Sequence, residues 1–139
     1  MPRMKILALP LMLALTLSGG DDKQKRPKLS VKANPYMAVS PARVVASADL
    51  NGGPDDFEEF YCLAVEWDWG DDTRSNNSAD CDPYEAGKSQ IKRRFTVQHL
   101  YRREGAYKIY FVMKRKDRTL ASASTSVQIQ PGGGAEFRD

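Results

Sequence analysis

Through much of the chain apolar side chains recur at every second position. That is the spacing of strands with one face buried and one face wet. Val44, Ala46, Ala48 and Leu50 form one such series, and Leu63, Val65, Trp67 and Trp69 a second. Phe95, Val97, His99 and Tyr101 form a third, and Tyr107, Ile109, Phe111 and Met113 a fourth. Ala121, Ala123, Thr125, Val127 and Ile129 alternate with serine and glutamine in the last. One further strand is expected over residues 29–37, ahead of Pro41.

Turn-forming residues separate these runs. Asn51-Gly52-Gly53-Pro54, Gly70-Asp71-Asp72, Glu104-Gly105 and Lys116-Asp117-Arg118 stand where the chain must reverse. After the first twenty residues no stretch has helical periodicity. Several short strands punctuated by Gly, Pro and Asp imply an all-β sandwich or barrel. One apolar face per strand suits two sheets packed face to face.

The strand ending Trp67-Asp68-Trp69-Gly70-Asp71-Asp72 resembles the signature of the PKD domain family, in which Trp-Asp-Phe-Gly-Asp-Gly is typical. Further along, His99-Leu100-Tyr101, then Gly105-Ala106-Tyr107, then Ile109, Phe111 and Met113 match that family's second half in order and spacing. The resemblance covers residues 35–130 and implies an immunoglobulin-like sandwich of about seven strands. It also implies a module outside the cell, commonly beside enzymes or adhesins, without catalytic activity. Two departures stand out: Asp72 occupies a position where the family prefers Gly, and residues 73–92 make a long excursion before the Phe95 strand.

Each motif residue also has a physical reason. Trp67 and Trp69 share a side of one strand and are expected to anchor the core. Asp68 points to the other side or into the turn, where a carboxylate accepts backbone N–H bonds. Tyr101 and Tyr107 flank a reversal, and one hydroxyl is expected to tie back to the backbone as in a tyrosine corner.

The chain ends change the picture of where the module works. Arg3 and Lys5 precede an apolar run over residues 6–17, followed by small residues Ser18 and Gly20. That three-part layout reads as a secretory signal peptide over residues 1–20, the run being too short for a comfortable membrane span. Residues 21–34 read as a flexible lead-in, 35–130 as the sandwich and 131–139, with three consecutive glycines, as a flexible tail. Removal of Arg3 and Lys5 lowers the basic count of 21 to 19, against 18 acids, so the net charge falls from +3 to about +1. So small an excess does not argue for nucleic acid. The expected location is secreted, periplasmic or at the cell surface.

In an oxidising compartment the two cysteines, Cys62 and Cys81, are expected to pair. With Cys62 on the outer face of the Trp67 strand, the bridge would clip the excursion onto the sheet's outer surface.

Catalytic chemistry has little to work with. His99 is the one histidine and sits on an inward face, which reads as structural. No serine has a nucleophile-elbow context, and one His with two Cys makes no closed zinc site. Asp55, Asp56, Glu58 and Glu59 form one acidic cluster, and Asp71, Asp72, Asp80 and Asp82 another. They read as solvated loops, with calcium the alternative, although neither has EF-hand spacing. The basic groups 92–94, 102–103 and 114–118 suggest a polyanion patch, or compensation by acids. Immunoglobulin-like topology would set the first acidic loop against residues 114–118, and Asp71 and Asp72 against Arg102 and Arg103. Lys108, Tyr110, Val112 and Lys114 line one outward face and form a candidate binding surface. Asn76-Asn77-Ser78 is a glycosylation sequon. The expected function is an exported interaction or spacer module, not an enzyme and without cofactor. Its partner would be an exported protein or a cell-surface polysaccharide. The alternative is a stand-alone binder of carbohydrate or of a calcium-dependent ligand.

Overall fold

A computed structural model describes residues 25–132; the expected leader over residues 1–20 lies outside them. The eight strands are β1 (Lys28–Asn34), β2 (Met37–Val39), β3 (Ala42–Asn51), β4 (Ala64–Asp68), β5 (Arg74–Asn77), β6 (Arg94–Tyr101), β7 (Gly105–Arg115) and β8 (Arg118–Gln130). They form a three-stranded sheet in the order β1-β3-β6 and a five-stranded sheet in the order β2-β8-β7-β4-β5. A single 3-10 turn, Glu58–Phe60, is the one helical element among the described residues.

Alternation decides which side chains go inside. Along β3 the even-numbered residues 42 to 50 are buried. Along β7, Ile109, Phe111 and Met113 have no solvent exposure. Burying a Leu- or Phe-sized side chain stabilises by about 1.5–3 kcal/mol, so a one-residue slip of either strand would forfeit several such terms. Phe95 of β6 meets Phe111 of β7 across the gap between sheets, with ring centroids 5.3 Å apart. The core is therefore one dry layer shared by both sheets, as the PKD-like, immunoglobulin-like reading requires.

The N-terminal boundary is corrected. The expected lead-in over 21–34 ends early, because Lys28–Asn34 pairs antiparallel with β3 from Lys28↔Asn51 to Asn34↔Val45. The single strand expected over residues 29–37 is two strands on two sheets. Pro35 cannot donate to a ladder, and the chain crosses there to the other sheet. β2 then runs parallel to β8, with Met37 opposite Gln128 and Val39 opposite Gln130. At the other end Pro131 and Gly132 follow β8, and the Gly132 amide donates to the Ser40 hydroxyl at 2.8 Å.

The excursion over 73–92 also holds a strand. β5 pairs with β4 from Val65↔Asn77 to Asp68↔Arg74. Its sequence, Arg-Ser-Asn-Asn, has no apolar residue, so periodicity did not reveal it.

Candidate functional site

The motif residues gather at one end of the sandwich, around the β4–β5 turn. Trp67 and Trp69 are buried, and their rings stack 5.4 Å apart with planes 7° from parallel. Trp69 stacks in turn on His99 at 4.5 Å. His99 meets Tyr101 edge-on at 4.7 Å, and Tyr101 stacks on Tyr107 at 4.4 Å. Five aromatic rings thus form one continuous column. The Trp69 indole N–H donates to the Ser75 hydroxyl at 2.9 Å. The Trp67 indole nitrogen is buried and has no partner among the described residues.

Acidic residues shape the turn. The Asp68 carboxylate accepts the Gly70 amide at 3.0 Å, and Asp71 accepts the Thr73 amide at 3.1 Å and the Thr73 hydroxyl. Gly70 has φ +77°, and a Cβ there would lie 2.7 Å from the Lys108 carbonyl oxygen. Asp72 takes φ 66°, a left-handed conformation that Gly adopts without strain. Asp reaches it at a smaller cost than most residues.

His99 is consumed by this turn. Its Nε2 lies 2.7 Å from Asp71 Oδ2, and both side chains are largely buried. Thr73 Oγ1 is 3.5 Å from the same nitrogen. A triad base uses one ring nitrogen for the nucleophile and the other for the orienting carboxylate. Here both partners address one nitrogen, which is the geometry of a brace. Burial works to raise the Asp71 pKa, but hydrogen bonds from Thr73 and His99 outweigh it and hold the carboxyl below its ordinary value.

Both tyrosine hydroxyls tie back to the chain. Tyr101, buried, donates to the Trp69 carbonyl at 2.8 Å, and burial pushes its pKa strongly upward. Tyr107 donates to the Arg103 carbonyl at 2.8 Å. A Cβ at position 105 would press on the Tyr107 ring at 3.0 Å, which accounts for Gly105.

The disulfide Cys62–Cys81 is present, with Cα atoms 6.0 Å apart. Its location differs from expectation. β4 begins at Ala64, and Cys62 has φ 55°, so Cys62 lies in the turn before the strand and not on the sheet's outer face. The bridge pins the excursion to the mouth of the β3–β4 connection. Tyr61 reinforces it by donating to the Asp82 carbonyl at 2.6 Å.

The charge pairing is partly as expected and partly not. Residues 114–118 do lie by the first acidic loop, but Arg115 donates to the carbonyls of Glu58, Glu59 and Tyr61 rather than to carboxylates. Glu59 pairs with Arg26 at 2.7 Å and Asp55 with Arg93 at 2.8 Å. At the motif end Asp71 takes His99, and no described ion pair joins Asp71 or Asp72 to Arg102 or Arg103. Arg93 looked like part of a basic patch. It instead clamps a turn, donating to the carbonyls of Leu50, Gly52 and Gly53. Among the described residues no three His, Cys, Asp or Glu side chains converge as a metal cluster.

The outward face of β7 is divided. Lys114 is bound to Glu66 at 2.7 Å, which lowers the Glu66 pKa, and Val112 is half-buried. Tyr110 remains 44% exposed, with the Lys108 ammonium 5.2 Å from its ring centre. These two residues, with Asp68, Gly70, Asp72 and Arg74, border a shallow cavity of about 440 Å³.

No protein-family model matches the chain, and no curated protein matches it. Solved structures do. The PKD domain of an M14-like peptidase from Thermoplasmatales archaeon SCGC AB-540-F20 superposes with a TM-score of 0.51 at 10% identity, covering 77% of this chain and 98% of that domain. A CARDB domain from Pyrococcus furiosus, solved in complex with di-metal ions, gives a TM-score of 0.47 at 14% identity, covering 76% of this chain and 96% of that one. The fold is thus PKD-like, of the immunoglobulin type. No helix among the described residues is long and apolar enough to cross a membrane.

Proposed function

We propose that the chain is an exported, non-catalytic interaction or spacer module that holds loops and one sheet face rigidly toward an exported protein or cell-surface polysaccharide. The observation that carries this is the fate of His99. The chain's only histidine is stacked on Trp69 and braced against Asp71, so the most versatile acid–base group serves the fold. The disulfide supports export, since such bonds persist in oxidising compartments. Mass spectrometry of the cell-derived protein is expected to place its first residue near Asp21; retention of Met1 would reject export. Immobilised chain should then capture a saturable partner from the exported fraction. Capture equal to that of a Trp67→Ala control would reject the interaction role.

One observation favours the carbohydrate alternative. Tyr110 is exposed beside hydrogen-bonding Asp68 and Arg74, a combination that suits the apolar face and hydroxyls of a sugar ring. Retardation in gels containing a neutral polysaccharide, lost on Tyr110→Ala, tests it. Equal mobility with and without the polysaccharide would dismiss it.

A further inference from the structure

We propose that the β2 edge is a self-association site, at which two copies of this chain join their five-stranded sheets through antiparallel β2–β2 pairing. Four large apolar side chains are exposed among the described residues, and three of them, Tyr36, Met37 and Val39, belong to this segment. β2 is the last strand of its sheet. The Gln128 amide donates to the Tyr36 carbonyl at 2.8 Å and the Ser40 amide to the Gln130 carbonyl at 2.9 Å. Backbone groups alternate sides along a strand. Those of Tyr36, Ala38 and Ser40 therefore face β8, and the N–H and C=O of Met37 and Val39 face outward.

That outward pattern is symmetric about Ala38. A second copy running antiparallel sets Met37 opposite the other copy's Val39, and each such pair exchanges both hydrogen bonds. The interface is then isologous and closes at two. Pro35 and Pro41 cannot donate, so they bound the ladder and leave the Ala38-centred register as the one that uses every outward group. Met37 and Val39 lie on one face of the joined sheet and pack across the two-fold axis.

No charge guards this edge against a second copy. Proteins guard open edges with charged residues. β1 carries Lys28 and Lys32, β5 carries Arg74 and β6 carries Arg94. From residue 33 to residue 42 there is no charge at all. Two copies of this edge bring no charges together. A strand of three residues makes a small contact, so the dimer is expected to be weak, of the transient class.

Sedimentation equilibrium tests this on the chain expressed with its N-terminal segment intact, so that any leader is processed. A reversible monomer–dimer equilibrium with a dissociation constant in the micromolar range, and no larger species, is expected. Met37→Lys with Val39→Lys should weaken it at least tenfold while the melting temperature stays put. Mixing chains carrying Met37→Cys with chains carrying Val39→Cys should give disulfide-linked heterodimers faster than either variant alone gives homodimers. A monomer at millimolar concentration, a dimer indifferent to the two lysines, or faster homodimer cross-linking would overturn the proposal. So would dimerisation that appears only after residues 133–139 are deleted, because the chain's own tail would then be the occupant. This inference does not rest on the proposed function, and a monomeric outcome leaves that reading intact.

Discussion

Replacing Tyr101 by Phe removes one oxygen from the middle of the aromatic column. The hydroxyl lies 2.8 Å from the Trp69 carbonyl, and Tyr101 is 1% exposed. Water cannot readily reach the orphaned carbonyl. The loss is then a hydrogen bond plus the desolvation of an unmatched acceptor, about 1–3 kcal/mol. The Tyr107 hydroxyl supplies the internal control. It bonds to the Arg103 carbonyl at the same 2.8 Å, but in an exposed setting where water can substitute. Tyr107→Phe should therefore cost under about 1 kcal/mol. Urea titration of both variants measures the two midpoints, with an unchanged slope showing that only stability moved. For a domain of this size 1 kcal/mol corresponds to about 4 °C in Tm, so Tyr101→Phe should melt several degrees lower. Equal losses in the two variants would refute the argument that burial of the Trp69 carbonyl makes the corner matter.

Truncating Trp67 to Ala should cost about 3–5 kcal/mol by denaturant titration, since it opens a cavity between stacked rings in a fully buried layer. Replacing both cysteines by Ala should lower stability by about 3 kcal/mol, from the entropy of an open loop with a 19-residue separation; a shift below about 1 kcal/mol would mean the excursion is held without the bridge. Arg93→Met should cost about 1–2 kcal/mol by denaturant titration, because it leaves the Leu50, Gly52 and Gly53 carbonyls and the Asp55 carboxylate without their donor. Asp71 has a depressed pKa, so it binds its proton less readily folded than unfolded. Its contribution is complete above the unfolded value of about 3.9 and disappears as pH falls through the lower folded value. Tm measured from pH 6 to pH 2 should fall less steeply for Asp71→Asn than for the parent; parallel curves would contradict the brace.

The buried half of the fold was readable because the code for it is local. In β3, β4, β6 and β7 the inward side chains alternate with outward ones, and the sheets follow that alternation. What escaped lay where burial imposes no alternation. β5 is an all-polar edge strand, and β1 and β2 share one run of residues but divide at Pro35 between two sheets. Cys62 continues the period-two pattern of β4, yet its positive φ takes it out of the strand, and side-chain pattern carries no record of φ. The brace between His99 and Asp71 joins residues 28 apart, so their types were visible in sequence while their contact was not. Arg93 misled for a related reason. A guanidinium beside Lys92 and Arg94 looks like surface charge until the carbonyls of a turn from another strand close around it.

Two sheets meet in one aromatic layer that also takes up the sole histidine. A two-dimensional NOESY spectrum of the folded chain tests this most directly. Cross-peaks are predicted between the Phe95 and Phe111 rings, 5.3 Å apart across the sandwich, and between the His99 and Trp69 rings at 4.5 Å. Absence of both, with the His99 ring protons exchanging their environment freely with solvent, would contradict the account.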